Sequence, residues 1–294
     1  MTATTTRPKL TIGVFDSGFG GLTVLRALLP LIPNAHYIYL GDTARLPYGA
    51  KSRETIARYA VSSSRFLLDQ GADILVIACN TATALALPEI QAEAAPIPVF
   101  GVVQPGANAV AQDKTAVILS EAKSPSISPA APQISKDPNV LVLATTATVQ
   151  SHAYHQALSA LGLPATEKAC PLLVPLVEEG WIDHPVTAEV LRIYLTEALA
   201  EAPEANTLLL GCTHYPLLKE MIERTLTALD HPMHIIDSAQ ATAHAVTAHL
   251  PPHSSTQPTT IDFYATDSIE KFQRLGSAFL GQPLKEVNLL DLGG

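Results

Sequence analysis

The stretch ADILVIACNTAT, residues 72–83, sets the reading of the fold. Ile74–Ala78 is a short, unbroken apolar run of strand length. Ahead of it, Glu54–Gln70 carries apolar residues at helical spacing, and Gly71 supplies the stop signal. Behind it, Cys79 is followed by small polar residues that open a second helical segment from about Thr81. A continuously apolar strand between two helices points to a parallel sheet covered on both faces. Working outward, the same alternation recurs. Leu10–Phe15 reads as a strand, followed by a glycine-rich turn and a helix over Leu22–Leu31. Tyr37–Leu40, Val99–Val103, Val140–Ala144 and Thr207–Leu210 read as further strands.

A second stretch, ANTLLLGCTHYP (205–216), repeats the layout of the first: apolar strand, cysteine, small polar residues, helix start. TIGVFDSG (11–18) and VLVLATTA (140–147) form a weaker pair. Two related α/β halves would set such strand ends across a cleft, since ligands of α/β sheets lie beyond the carboxyl ends of the strands. The alternative is that any α/β chain produces similar strings. Residues 113–138 break the alternation. They hold Pro125, Pro129, Pro132 and Pro138 among serines, and proline at that density reads as an exposed insertion rather than a continuous helix.

Composition narrows the function classes. The 294 residues fit two domains or one large one. Hydrophobic residues make up 47%, enough to exclude a disordered chain. The net charge is −9 with no basic cluster, which argues against nucleic acid as the main partner. No stretch has the signal-peptide pattern, and none approaches the roughly 20 apolar residues of a membrane helix, so a cytoplasmic protein is expected. Three cysteines at wide spacing do not form a disulfide framework. CxxC, HExxH and EF-hand spacings are missing, so no metal is expected. His152 and His155 stand three apart, and a solvent-facing pair is favoured there over a metal site.

FDSGFGGL (15–22) resembles a dinucleotide fingerprint, with Asp42 where a ribose-binding acid would stand. The match fails because Thr23 occupies a position that needs a small residue, and Asp16 would put negative charge near a pyrophosphate. The turn reads better as a set of backbone N–H groups for a carboxylate, with Asp16 and Ser17 facing the same cleft. Cys79, at a helix start, feels the positive end of the helix dipole, which favours thiolate. Asn80 and Thr81 can bind substrate oxygens. Cys212 stands in the equivalent place, with Thr213 and His214 behind it. A lone cysteine after a strand is usually a small buried hydrophobe. Two of them, each with a helper (Asp16 and His214), suit paired acid/base work: a proton leaves one face of a carbon and another returns to the opposite face. A thiol hydrolase would use one nucleophile and leave the other cysteine unexplained. Cys170, in ACPLLVP, reads as packing.

These segments resemble those of glutamate racemases, in the aspartate/glutamate racemase superfamily. The resemblance rests on IGVFDSGFGGLTVLRAL (12–28), YLGDTARLPYG (39–49), VIACNTATA (76–84) and LLLGCTHYPLL (208–218). TTATVQSHAY (145–154), CPLLVPLVEEG (170–180), IDSAQATA (236–243) and FYATDSIEKF (263–272) follow in the family's order. The resemblance implies two similar Rossmann-like α/β domains with the active site in the cleft between them. It also implies an isomerase that interconverts L- and D-glutamate without a cofactor and supplies D-glutamate for peptidoglycan. Cys79 and Cys212 would be the two acid/base residues, assisted by Asp16 and His214. Asp16, Ser17, Tyr48, Gly49, Asn80, Thr81, Thr213 and His214 would contact glutamate, with Thr145 and Glu178 weaker carry-overs. A homodimer is expected, and some members need a cell-wall precursor as activator. An aspartate or other amino-acid racemase of the same superfamily, or a non-catalytic ligand-binding relative, is the alternative. The chain is expected to divide into residues 1–102 with 235–294, and residues 103–234 carrying the insertion. Thr146 stands where the family often has proline, and residues 113–138 exceed the usual connection.

Overall fold

The computed structural model describes residues 9–123, 138–250 and 257–293. The chain forms two compact units, Met1–Val102 with Thr242–Gly294, and Val103–Ala241.

The first unit is built on a six-stranded sheet. Its strands are β1 (Thr11–Asp16), β2 (His36–Gly41), β3 (Ile74–Ile77) and β4 (Val99–Gly101). The second unit has β5 (Val140–Ala144), β6 (Ala165–Ala169), β7 (Thr207–Gly211) and β8 (His234–Asp237). The chain then returns to the first sheet with β9 (Thr260–Ala265) and β10 (Asn288–Leu289). The strand orders are β10-β9-β2-β1-β3-β4 and β6-β5-β7-β8, and every pairing is parallel. The sequence reading of an α/β protein with parallel sheets therefore holds. Counted within its own unit, the run β2-β1-β3-β4 has the same order as β6-β5-β7-β8. The echo between the two cysteine segments is thus topological: β3 and β7 are equivalent strands.

The central strands are the continuously apolar ones because both faces are covered. Val14, Leu75, Val76 and Ile77 are fully buried in the first unit, as are Leu141, Val142, Leu208 and Leu209 in the second. Each such side chain contributes about 1.5–3 kcal/mol of transfer free energy on burial. One core packs Phe15, Leu40, Tyr48 and Cys79 against the helix Arg53–Asp69 and the helix Asn80–Ala94. The other packs Val142, Ala144 and Leu209 against Tyr154 and Leu158.

Three readings need correction. The chain re-enters the first unit at Thr242 rather than 235, because β8 pairs with β7 and so closes the second sheet. The helix Val103–Lys123 runs through the first part of the stretch assigned to the insertion. Its sequence up to Lys123 holds helix formers, and the first proline of the run is Pro125. Residues 124–137, the rest of that stretch, lie outside the described residues. The turn after Cys212 is a short 3₁₀ segment, Tyr215–Leu218, and the α-helix begins only at Lys219.

Among the described residues, no helix is long and apolar enough to cross a membrane.

Candidate active site

In the first unit the site is assembled at the carboxyl ends of β1, β2 and β3. Asp16 ends β1 and is buried. Its Oδ2 accepts a hydrogen bond from the Gly18 N–H at 2.8 Å. That amide of the glycine turn is therefore engaged by the protein's own carboxylate. The turn packs closely: a Cβ on Gly21 would lie 2.5 Å from the Asp16 Cβ and 2.9 Å from the Ala78 Cβ. The glycine is what lets the helix Leu22–Leu31 start so close to the ends of β1 and β3.

Cys79 follows β3 and is the N-cap of the helix Asn80–Ala94. Its Sγ accepts from the Ala82 N–H at 3.4 Å, and its thiol donates to Ser17 Oγ at 3.4 Å. The Ala82 N–H, and the Ser17 hydroxyl when it turns to donate to the sulfur, favour thiolate, as the helix start suggested. Burial, followed by the neighbouring Asp16 carboxylate, outweighs them and pushes the thiol up to about 11. The expectation of a thiol biased towards thiolate is therefore reversed. Cys79 is a protonated thiol at neutral pH, with a carboxylate beside it. Asn80 and Thr81 are buried in the first turn of the same helix.

Tyr48 and Gly49 lie in the 3₁₀ turn Tyr48–Ala50. The Tyr48 ring is buried, packs 6.2 Å from the Phe15 ring, and shares a core with Cys79. Its hydroxyl donates to Asp42 Oδ2, so the phenol is held by the protein.

In the second unit the corresponding corners carry Thr145 and Cys212. Thr145 follows β5 and caps the helix Thr146–Ser151, its Oγ1 accepting from the Thr148 N–H at 3.4 Å. Thr146 is the first residue of that helix, the position where proline is also well tolerated. Cys212, Thr213 and His214 follow β7, and all three are buried. The His214 Nε2 lies 3.3 Å from Glu178 Oε1, and its Nδ1 lies 3.5 Å from Thr213 Oγ1. Glu178 thus orients the imidazole two residues after Cys212. Because Cys212 precedes only a 3₁₀ turn, with the Tyr215 N–H bonded to its carbonyl at 3.1 Å, it lacks the full helix terminus that Cys79 has.

Cys170 is fully buried and packs as expected, its thiol directed to the Lys168 carbonyl and its own carbonyl accepting from Tyr215. His152 is exposed, with its Nδ1 3.3 Å from Glu167 Oε2. Among the described residues, no group of three His, Cys, Asp or Glu side chains is arranged to hold a metal. Sequence reading missed the role of Asp42, first considered as a ribose-binding acid. Its signal was an Asp at a strand end followed by Arg45 and Tyr48 at three and six residues.

A family model described as Asp/Glu/Hydantoin racemase matches residues 20–246. A glutamate racemase of Koribacter versatilis is 48% identical over 98% of this chain and 99% of its own length. The crystal structure of a Francisella tularensis glutamate racemase in complex with D-glutamate superposes with a TM-score of 0.82 at 31% identity, covering 97% of this chain and 98% of that one. An Escherichia coli glutamate racemase, solved with L-glutamate and the activator UDP-MurNAc-ala, gives a TM-score of 0.70 at 25% identity over 98% and 100% of the two chains.

Proposed function

The chain belongs to the Asp/Glu/Hydantoin racemase family and is an amino-acid racemase, and we propose that it interconverts L- and D-glutamate with two thiols, Cys79 and Cys212, one removing the α-proton and the other returning a proton. The observation that carries this reading is the equivalence of the two cysteines. Each follows the third strand of a run ordered 2-1-3-4, with the Asp16 carboxylate acting on Cys79 and His214 two residues after Cys212 in the chain. Glutamate as substrate draws on the relatives named above.

Inverting an α-carbon requires a base on one face and an acid on the other. Cys79, held as a thiol by burial and Asp16, suits the acid at the start of a turnover. Cys212 is then the base, its proton taken by His214, which Glu178 orients. Running the reaction backwards exchanges the roles, and Asp16 takes the Cys79 proton. Ser17, Tyr48, Gly49, Asn80, Thr81, Thr145 and Thr213 bind the amino acid in this scheme. The carbanion-like state is stabilised by preorganised donors in a site shielded from water. No cofactor takes part in this scheme, because the thiols supply both proton transfers. The product would feed peptidoglycan synthesis in the cytoplasm. A cell-wall precursor as activator is suggested by the Escherichia coli relative, and the homodimer by the family resemblance.

Serine is a far weaker acid than cysteine, so Cys79→Ser and Cys212→Ser should each lower racemisation of glutamate at least about a hundredfold. Circular dichroism follows the optical change, and thermal unfolding checks the fold. Near-full activity in either folded variant would end the two-thiol reading.

A further inference from the structure

The loop between β2 and the helix Arg53–Asp69 contains a buried charge that the reaction scheme above does not use. Asp42 is fully buried. Its Oδ1 accepts from Arg45 Nε at 2.8 Å and from Thr266 Oγ1 at 3.0 Å. Its Oδ2 accepts from Arg45 Nε at 2.7 Å and from the Tyr48 hydroxyl. Arg45 is itself spoken for: Nη2 reaches Ser63 Oγ at 3.3 Å, and the guanidinium sits 4.5 Å from the centre of the Tyr59 ring. The backbone joins in. The Asp42 N–H donates to the Asp16 carbonyl at 3.0 Å, and the Ala44 N–H donates to Thr266 Oγ1 at 2.9 Å.

A buried ion pair is a poor way to gain stability. Removing two charges from water costs several kcal/mol each, and well-packed apolar residues usually do as well or better. What such a pair supplies is a defined geometry, and here that geometry ends on Tyr48. The same network joins Asp16, Tyr48 and the core that holds Cys79.

We infer that Asp42 and Arg45 are positioning residues, a buried ion pair that holds the Tyr48–Gly49 turn in place for glutamate. This rests on the reading of the site given above. The carboxylate grips the phenol and the phenol fixes the turn, which is the one the proposed site sets against the substrate. The pair binds no proton of the reaction, so its loss acts on substrate binding rather than on proton transfer.

The test is a mutant cycle of Tyr48→Phe, Asp42→Asn and the double variant, read as KM and kcat for D-glutamate, with thermal unfolding as the check on the fold. Tyr48→Phe removes one oxygen from the network and keeps the ring. It should raise KM about tenfold with kcat changed less than about threefold, the pattern of lost binding. Asp42→Asn should act in the same direction, and the double variant should be no worse than Asp42→Asn alone, because both cut one link. Asp42→Asn leaves Arg45 buried without its partner; if it does not fold, Tyr48→Phe decides alone. A folded Tyr48→Phe with unchanged KM overturns the inference, as does a double variant whose losses multiply. Wild-type protein inactive on glutamate would overturn the parent reading and this inference with it, an outcome distinct from an active wild type whose variants match it.

Discussion

At the scale of single residues, Cys79 shows how position and environment compete. The cap of a helix lowers a thiol's pKa, and the Ala82 N–H does this here. Burial and the Asp16 carboxylate act the other way and prevail, leaving the thiol at about 11. The sign for a variant follows. Asp16→Asn removes a negative charge that disfavours thiolate, so the Cys79 titration should move to lower pH. Burial remains, so the midpoint should stay above that of an ordinary thiol. Ultraviolet absorbance of the thiolate, measured in a Cys170→Ala, Cys212→Ala background, reports this directly. An unmoved or higher midpoint would show that Asp16 does not govern the thiol. The placement of both cysteines at strand ends was legible in the sequence, because each stands between an apolar strand and small polar residues. The direction of the Cys79 shift was not, since it depends on burial and on a carboxylate 63 positions away in the chain (79 − 16). Tyr48 was a candidate site residue only through family resemblance. That its hydroxyl is held by Asp42 needed the fold, because Thr266, on the far side of the sequence, completes that network.

Among elements, the central strands were legible and the marginal ones were not. β3 and β5 are unbroken apolar runs, and β1 and β7 have apolar centres, because helices cover both faces. β6, Ala165–Ala169, reads ATEKA; it is an edge strand, half-buried throughout, and carries no hydrophobic signature. β9 alternates in burial, and its place beside β2 depends on pairing with residues more than 200 positions earlier. The glycine turn after β1 was legible as a turn, but its packing role was not. Gly21→Ala should force the new methyl against Asp16 and Ala78, at 2.5 and 2.9 Å. Overpacking of this kind costs about 1–3 kcal/mol. The melting temperature should fall by several degrees, and activity should fall with it because Asp16 is displaced. Wild-type melting and turnover in Gly21→Ala would show that the turn yields without disturbing the carboxylate.

For the whole molecule, the repeated strand order accounts for the two cysteines that the proposed scheme uses. A strand order used twice places a cysteine at the same corner of each sheet, and inversion at carbon needs two such groups. The return of the chain at Thr242 to add β9 and β10 makes the first sheet larger without altering that shared frame. The two-thiol scheme is tested most directly by racemisation in D2O, starting from one enantiomer of glutamate and, separately, from one enantiomer of aspartate, with the α-hydrogen followed by NMR early in the reaction. With glutamate, the newly formed enantiomer should carry deuterium at the α-carbon while the remaining substrate keeps its proton, because one thiol removes hydrogen and a different, solvent-exchanged thiol returns it. Product that retains the substrate's own proton would mean a single base serving both faces, and would contradict the account.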